Sequence, residues 1–418
     1  MPNQTVLITG SAGLIGSEAV RLFDAGGFRV HGVDNNLRAR FFGADGDTSW
    51  NLESLLSQTK HFMNHNIDIR DSASVEDLVK TVRPDRLIHC AAQPAHELAR
   101  KEPATDFRVN VAGTLHLLEA CRKYTPEAPF VFCSSSKVYG PVNDIPYVET
   151  DSRFDFAVEA FSHTGLETPE PRCGGSPPAA PADHHTTRRE AGHCERGPEE
   201  ARTRLVPGLA KSELSTSCGG WSWAGINERF PLEPGDGRGI YGTGKAAADL
   251  FVQEYGISYG MRTVCLRGNC MTGSGHSPAE LHGFLAYMAR CLMEGRPYTV
   301  FGYQGKQVRD IIHSYDFVTA IYMICANPPA PGTVYNLGGG RQNSVSILEA
   351  IRRLRELSGL TLETRFADLP RHGDHRVYLS DTSKFRADYP AWGIKWGVDE
   401  MCLDLITRFS GSASSVAA

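Results

Sequence analysis

The sequence predicts an α/β fold: a doubly wound parallel sheet with a smaller α/β region appended at its C-terminal side. Three observations predict it. Short apolar, β-branched runs alternate with amphipathic stretches from residue 5 to about 135, the pattern of parallel strands joined by helices. The first run, Thr5–Ile8, passes directly into Gly10-Ser-Ala-Gly13-Leu-Ile-Gly16 and an amphipathic segment, so a glycine turn opens a helix. Beyond residue 269 the helical pattern strengthens and the strands shorten, which suits a smaller region with its own role.

The composition narrows the class of protein. At 418 residues the chain exceeds one average domain, and 41% hydrophobic with 22% charged residues is ordinary for a globular protein. A net charge of -5 provides no electrostatic ground for nucleic acid or an anionic membrane as partner. The eleven cysteines include no CxxC pair, which fits reduced thiols better than a disulfide framework. The first residues carry neither a basic segment nor a long apolar one, and no run of 18 apolar residues occurs. The expected location is therefore cytoplasmic, with no membrane partner.

Each element then has its own reason. In the first turn glycine lets the backbone approach a pyrophosphate, and the helix start offers free N–H groups at a positive dipole end. Gly10, Ala12, Gly13, Leu14, Ile15 and Gly16 are the candidate cradle. The second run, Phe28–Val33, ends in Asp34 with Asn35 beside it, 18 residues past Gly16. A carboxylate there accepts from ribose hydroxyls and repels a 2′-phosphate, which favours NAD over NADP. Asn66-Ile-Asp68-Ile69-Arg reads as another strand end. Arg86–Gln93 reads as a buried strand entering a turn of small residues, where Ala91, Ala92 and Gln93 let a cofactor pass close to the backbone. Asp106–Cys121 is an amphipathic helix carrying Asn110, and Phe130–Gly140 is a strand opening into a hydroxyl-rich turn with Ser135.

The pattern then breaks. From about His163 to Gly220 the composition turns to Pro, Gly, Arg, Glu and Thr without helical or strand period, the mark of a flexible insertion. Cys173, His184, His185, His193, Cys194 and Cys218 lie within it at spacings that match no common zinc pattern, so no metal is expected. After it come Tyr241 and Lys245, four residues apart at the start of a helical run. At that spacing the phenol and the ammonium share one helix face. A cation there favours phenolate, lowering the tyrosine pKa so that it can take a proton from an alcohol. Taken alone, the pair also reads as a core tyrosine and a surface lysine.

The glycine spacing GxxGxxG, together with YxxxK, resembles the extended short-chain dehydrogenase/reductase family and its NAD-dependent nucleotide-sugar epimerases. Asp34–Arg38, Cys270–Leu285 and Gly302–Asp310 are most similar to its CDP-paratose 2-epimerase branch, and Ile145–Glu149 to UDP-glucose 4-epimerases. The resemblance implies a Rossmann-type NAD-binding domain in two parts, 1–162 and 224–268, split by the insertion at 163–223. A substrate-binding region at 269–408 and a disordered tail at 409–418 complete the expected organisation. It also implies bound NAD, a nucleotide-diphosphate sugar substrate and a homodimer. By the same resemblance Tyr241 is the catalytic base, Lys245 lowers its pKa and holds the nicotinamide ribose, and Ser135 orients the reacting hydroxyl. Asp68 and Ile69 would meet the adenine, and Asn110 would support the cofactor side. Asn269, His282, Arg309 and Arg371 would contact substrate, the two arginines gripping the diphosphate through bidentate hydrogen bonds.

Overall fold

In the computed structural model, residues 4–142, 145–157, 221–232, 238–370 and 373–413 are described. The 163–220 insertion with its cysteines and histidines, and Arg371, fall outside them.

Seven strands form one parallel sheet: β1 (Thr5–Thr9), β2 (Arg29–Val33), β3 (Phe62–His65), β4 (Arg86–His89), β5 (Phe130–Ser135), β6 (Thr263–Gly268) and β7 (Thr333–Leu337). Their order across the sheet is β7-β6-β5-β4-β1-β2-β3, so the chain reverses direction between β1 and β4. That reversal opens a crevice at the carboxyl ends of the strands, where a doubly wound sheet binds its ligand. Helices α1 (Leu14–Ala25), α2 (Ser72–Val82), α3 (Gly113–Tyr124), α4 (Gly239–Tyr259) and α5 (Ser314–Ala326) cover the two faces. Strand alternation sorts the core between them. Val6, Ile8, Ile88, Val131 and Leu266 face α1 and α5, where Ile15, Ala19, Val20 and Phe23 recur at helical spacing. Leu7, Leu87, Phe130, Phe132 and Cys265 face the opposite way, toward Leu78, Leu117 and Val252 of α2, α3 and α4.

A second core lies in the C-terminal part. The helices Phe284–Met293, Ile347–Ser358 and Val398–Ala413 pack together around Met288, Leu354 and Leu405, each 0% exposed. Ser346 caps one of them: its hydroxyl accepts from Glu349 N, and the Glu349 carboxylate accepts from Ser346 N. Short strands pair beside these helices, Tyr298–Phe301 with Thr364–Ala367, and Val308–Asp310 between Ser344–Ser346 and Val377–Tyr378.

Three sequence expectations change in detail. β7 lies inside the 269–408 stretch yet completes the main sheet against β6, because Tyr335 and Leu337 bury their side chains with the α1 and α5 core. The C-terminal helix runs to Ala413, with Phe409 6% exposed in the second core, so the expected tail at 409 is helical at its start. The helix expected over Asp106–Cys121 runs from Pro103 to Tyr124, and within it Phe107–Ala112 form a widened π-helical turn that carries Asn110.

Candidate active site

The crevice is a cleft of about 940 Å³, walled on one side by the first glycine turn and on the other by the C-terminal region. Gly10 takes φ +70°, and a Cβ there would sit 2.8 Å from Ala91 N; one at Gly16 would sit 1.9 Å from Gly10 O. Only glycine permits this packing of turn, strand and helix. No side chain caps α1 at Gly13, so the N–H groups of its first turn remain available to an anion. Gly10, Gly13, Leu14, Ile15 and Gly16 all line the cleft. Ala12 lies just behind and donates its N–H to Asp34 Oδ2 at 2.9 Å, while Asn36 N donates to Oδ1 at 2.8 Å. These bonds orient the Asp34 carboxylate at the end of β2, and burial raises its pKa.

Ser135, Tyr241 and Lys245 meet on the cleft wall. Ser135 ends β5, and its hydroxyl accepts from Lys137 N at 3.2 Å, which anchors the turn that follows. Tyr241 and Lys245 stand on the first turns of α4. Lys245 Nζ, 3% exposed, donates to Cys133 O at 2.7 Å and lies 4.2 Å from the centre of the Phe132 ring. Burial pushes the Lys245 pKa down to about 8. For Tyr241 the expected direction is reversed: burial pushes the phenol up to about 12, a hydrogen bond with Ser135 pulls it down, and the nearby Asp106 charge adds to the rise. Desolvation of the phenolate outweighs the Ser135 hydrogen bond that favours it.

The remaining expected residues divide. Asn35, Asp68, Ile69, Ala91 and Ala92 line the cleft, as do Asn269, His282 and Arg309. Asp68 is held by Arg70, with contacts of 2.9 and 2.5 Å that keep its pKa low. Asn269 spends its amide on Asp310 Oδ1 at 2.6 Å and its carbonyl on the Ser136 hydroxyl at 2.8 Å. Arg309 donates through Nη2 to Asp374 Oδ1 at 2.5 Å and to His375 O at 2.6 Å and through Nη1 to Val308 O at 2.6 Å, so a carboxylate and two backbone carbonyls already engage its guanidinium. Gln93 and Asn110 do not line the cleft. They are 0% and 2% exposed and lock the loop after β4, Gln93 N donating to Asn110 Oδ1 at 2.9 Å and Asn110 Nδ2 to Gln93 O at 3.0 Å.

Two residues near the chemistry had no place in the sequence reading. Asp106, 1% exposed, accepts from Gln93 and Asn110 through Oδ1, while Oδ2 is buried without a partner. A Cβ at Gly244 would sit 2.4 Å from that oxygen, so the carboxyl presses on α4 between Tyr241 and Lys245. The signal for it was its position four residues before Asn110, on the same helix face. His96 lines the cleft with its ring 4.5 Å from that of Tyr241, a contact between distant segments that no local pattern announces.

Residues 6–161 and 215–338 match the sequence profile of the NAD dependent epimerase/dehydratase family. The chain belongs to that family. It is an enzyme family that uses NAD, and the uncapped glycine turn with Asp34 fits this dinucleotide: free N–H groups for the pyrophosphate, an oriented carboxylate for the ribose. A CDP-paratose 2-epimerase of Salmonella typhi is 27% identical over 386 residues, covering 91% of each chain. A UDP-glucose 4-epimerase of Cyamopsis tetragonoloba is 26% identical over 424 residues, covering 97% of this chain and 94% of that one. A dTDP-glucose 4,6-dehydratase of Escherichia coli is 23% identical over 406 residues, covering 94% of this chain and 85% of that one. Among solved structures, the Thermus thermophilus UDP-glucose 4-epimerase complex with NAD superposes with a TM-score of 0.66 at 24% identity, covering 98% of this chain and 100% of that one. A likeness at that identity places the chain in the family's fold. The family match breaks off at 161 and resumes at 215, so its gap coincides with the compositional insertion.

Proposed function

We propose that this chain inverts one carbon of a nucleotide-diphosphate sugar without net oxidation, as a CDP-paratose 2-epimerase. The observation that carries the reaction type is the meeting of Ser135, Tyr241 and Lys245 on one cleft that runs from the glycine turn to Arg309. The sugar nucleotide rests on the 27% identity that extends over 91% of both chains.

NAD, when bound, supplies a hydride acceptor that returns what it takes. The residues of this chain do the rest. The glycine turn and Asp34 would hold the dinucleotide, and Lys245 would hold its nicotinamide ribose. Tyr241 takes the proton of the sugar hydroxyl and later gives it back. Burial opposes the phenolate, and the Ser135 hydroxyl, hydrogen-bonded to the phenol, is placed to stabilise it. Residues 269–408, apart from β7 and α5, form the substrate side, where Arg309 grips the diphosphate once Asp374 yields its place.

A dehydratase fits less well. The family resemblance implies that its dehydratases carry an acid directly after the catalytic hydroxyl residue. Here that position is Ser136, whose hydroxyl donates to Asn269 Oδ1, a bond no carboxylate makes. The second reading is a UDP-sugar 4-epimerase, supported by 26% identity over 97% of this chain. The same family reading carries a homodimer through α3 and α4, whose exposed Leu250, Ile257 and Tyr259 suit an interface; sedimentation at the mass of one chain would overturn it.

The deciding experiment is proton NMR of the purified protein with CDP-paratose, in parallel with UDP-glucose, without and then with added NAD. Conversion of the CDP-sugar supports the reading. Conversion of UDP-glucose alone replaces it with the second.

A further inference from the structure

We propose that Arg38, together with His276 and His282, forms a phosphate-binding subsite where the helix Leu37–Phe42 meets the loop Gly273–Gly283. Its ligand is an oxygen of one of the two diphosphates, that of NAD or that of the sugar nucleotide. The second source rests on the substrate reading above.

Arg38, His276 and His282 all line the cleft. The Arg38 guanidinium lies 4.5 Å over the Phe42 ring, and Nη2 donates both to Ser277 O at 2.7 Å and to His282 Nδ1 at 3.2 Å. Burial pushes its pKa down to about 10, and among the described residues no carboxylate offsets that effect. A guanidinium carries five N–H donors in a planar fork, so the bonds from Nη2 leave Nε and Nη1 to serve an anion. Holding a cation in a part-buried wall without a counter-charge costs free energy, which an anionic ligand offsets.

The two histidines line the same wall of the cleft. Because Arg38 donates to His282 Nδ1, that nitrogen accepts and the proton of a neutral ring sits on Nε2. His276 is 4% exposed, and its Nδ1 has no hydrogen-bond partner. Burial, reinforced by Arg38, pushes its pKa down to about 3, so the ring is neutral. The fold makes room for it: Gly283 takes φ +83°, and a Cβ there would sit 2.1 Å from the His276 ring. The two rings stand 5.6 Å apart at 89°. The fixed cation and the neutral His276 ring recognise a phosphate oxygen without needing acid pH, and with His282 they bridge the NAD side of the cleft to the C-terminal side.

The competing role for Arg38 is a strut between the two sides, and the experiment must separate the two. The purified full-length protein and Arg38→Met, which keeps an apolar stem of similar length, are compared in two arms. The cofactor arm reads the rate of NAD loss on dilution. The substrate arm reads the affinities of CDP and UDP against those of cytidine and uridine, which lack phosphate. The subsite predicts that at least one arm worsens ~10–100-fold, the yield of charge-assisted hydrogen bonds, while nucleoside affinity and the thermal midpoint hold. The arm that falls names the source of the phosphate. A fall in the NAD arm alone upholds the subsite even if no nucleotide sugar is turned over. Both arms within a factor of about two of wild type, or nucleosides falling as far as nucleotides, would overturn it. Should Arg38→Met fail to fold, His276→Phe keeps the ring volume beside Gly283, removes Nδ1, and is read in the same way.

Discussion

Tyr241 and Asp106 show how burial sets the chemistry at single residues. The phenol is raised to about 12 despite a lysine one helical turn away, so its work depends on groups that favour the phenolate. Tyr241→Phe should lower kcat ~10²–10⁴-fold, the usual worth of a positioned acid–base group, while NAD stays bound. Unchanged turnover would take the tyrosine out of the reaction. Asp106 carries a different consequence. Its pKa rises from 3.8 to about 6, so between those values the folded chain keeps a proton that the unfolded chain has released. Stability therefore falls as pH rises through that window. Asp106→Asn, which keeps an oxygen for Gln93 and Asn110, should gain ~1–3 kcal/mol at neutral pH, and the gain should vanish below pH ~4. Urea titrations at both pH values measure it; a gain of equal size at both would show that the proton is not its source.

Between elements, the helix α4 that carries Tyr241 and Lys245 is held from below. Asp249, one turn past Lys245, is 0% exposed and accepts from Arg267 of β6 at 3.1 and 2.7 Å and from Ser134 of β5 at 2.5 Å. Arg267 also donates to the Tyr139 hydroxyl at 2.9 Å, which ties the turn after Ser135 into the same network. These bonds fix α4 against the ends of β5 and β6, where Ser135 and Tyr241 must meet. Arg267→Met removes one member of a buried pair and leaves the carboxylate uncompensated, a loss of ~3–5 kcal/mol. Its urea midpoint should fall accordingly. A midpoint equal to wild type would show that Ser134 and Gln253 alone satisfy Asp249.

At the level of the whole molecule, the two cores meet across the cleft. Trp50 Nε1 donates to Ser277 Oγ at 2.9 Å, and Arg408 of the C-terminal helix lies 4.2 Å over the Trp50 ring. Among the described residues no helix is long and apolar enough to cross a membrane. The interruption between 161 and 215 in the family match makes the intervening stretch additional to what the family's sheet and cleft require. Replacing residues 163–214 with a short polar linker should leave the thermal midpoint and turnover within experimental error. A lowered midpoint would show that the stretch contributes to the fold, and lost turnover with an unchanged midpoint would show that it contributes to the site.

The order of β1, glycine turn, α1, β2 and Asp34 was legible in the sequence because each of its signals is local. Alternation of apolar runs, glycine where the turn needs it, and a helix start are all properties of adjacent residues. The i, i+4 pairing of Tyr241 and Lys245 was legible for the same reason. Other features depend on segments far apart in the chain. That β7 returns to the main sheet, that Asp374 engages Arg309, and that Arg38 faces His282 are matters of tertiary packing. So is the pKa of Tyr241: local spacing puts a lysine one helical turn away, but desolvation is set by everything that surrounds the ring, and desolvation is the largest effect on it. The sequence by itself determined the alternation of strands and helices, the glycine turn and the i, i+4 spacing of Tyr241 and Lys245. The tertiary structure decided which charges are free to act, because burial and long-range partners are properties of the assembled cleft.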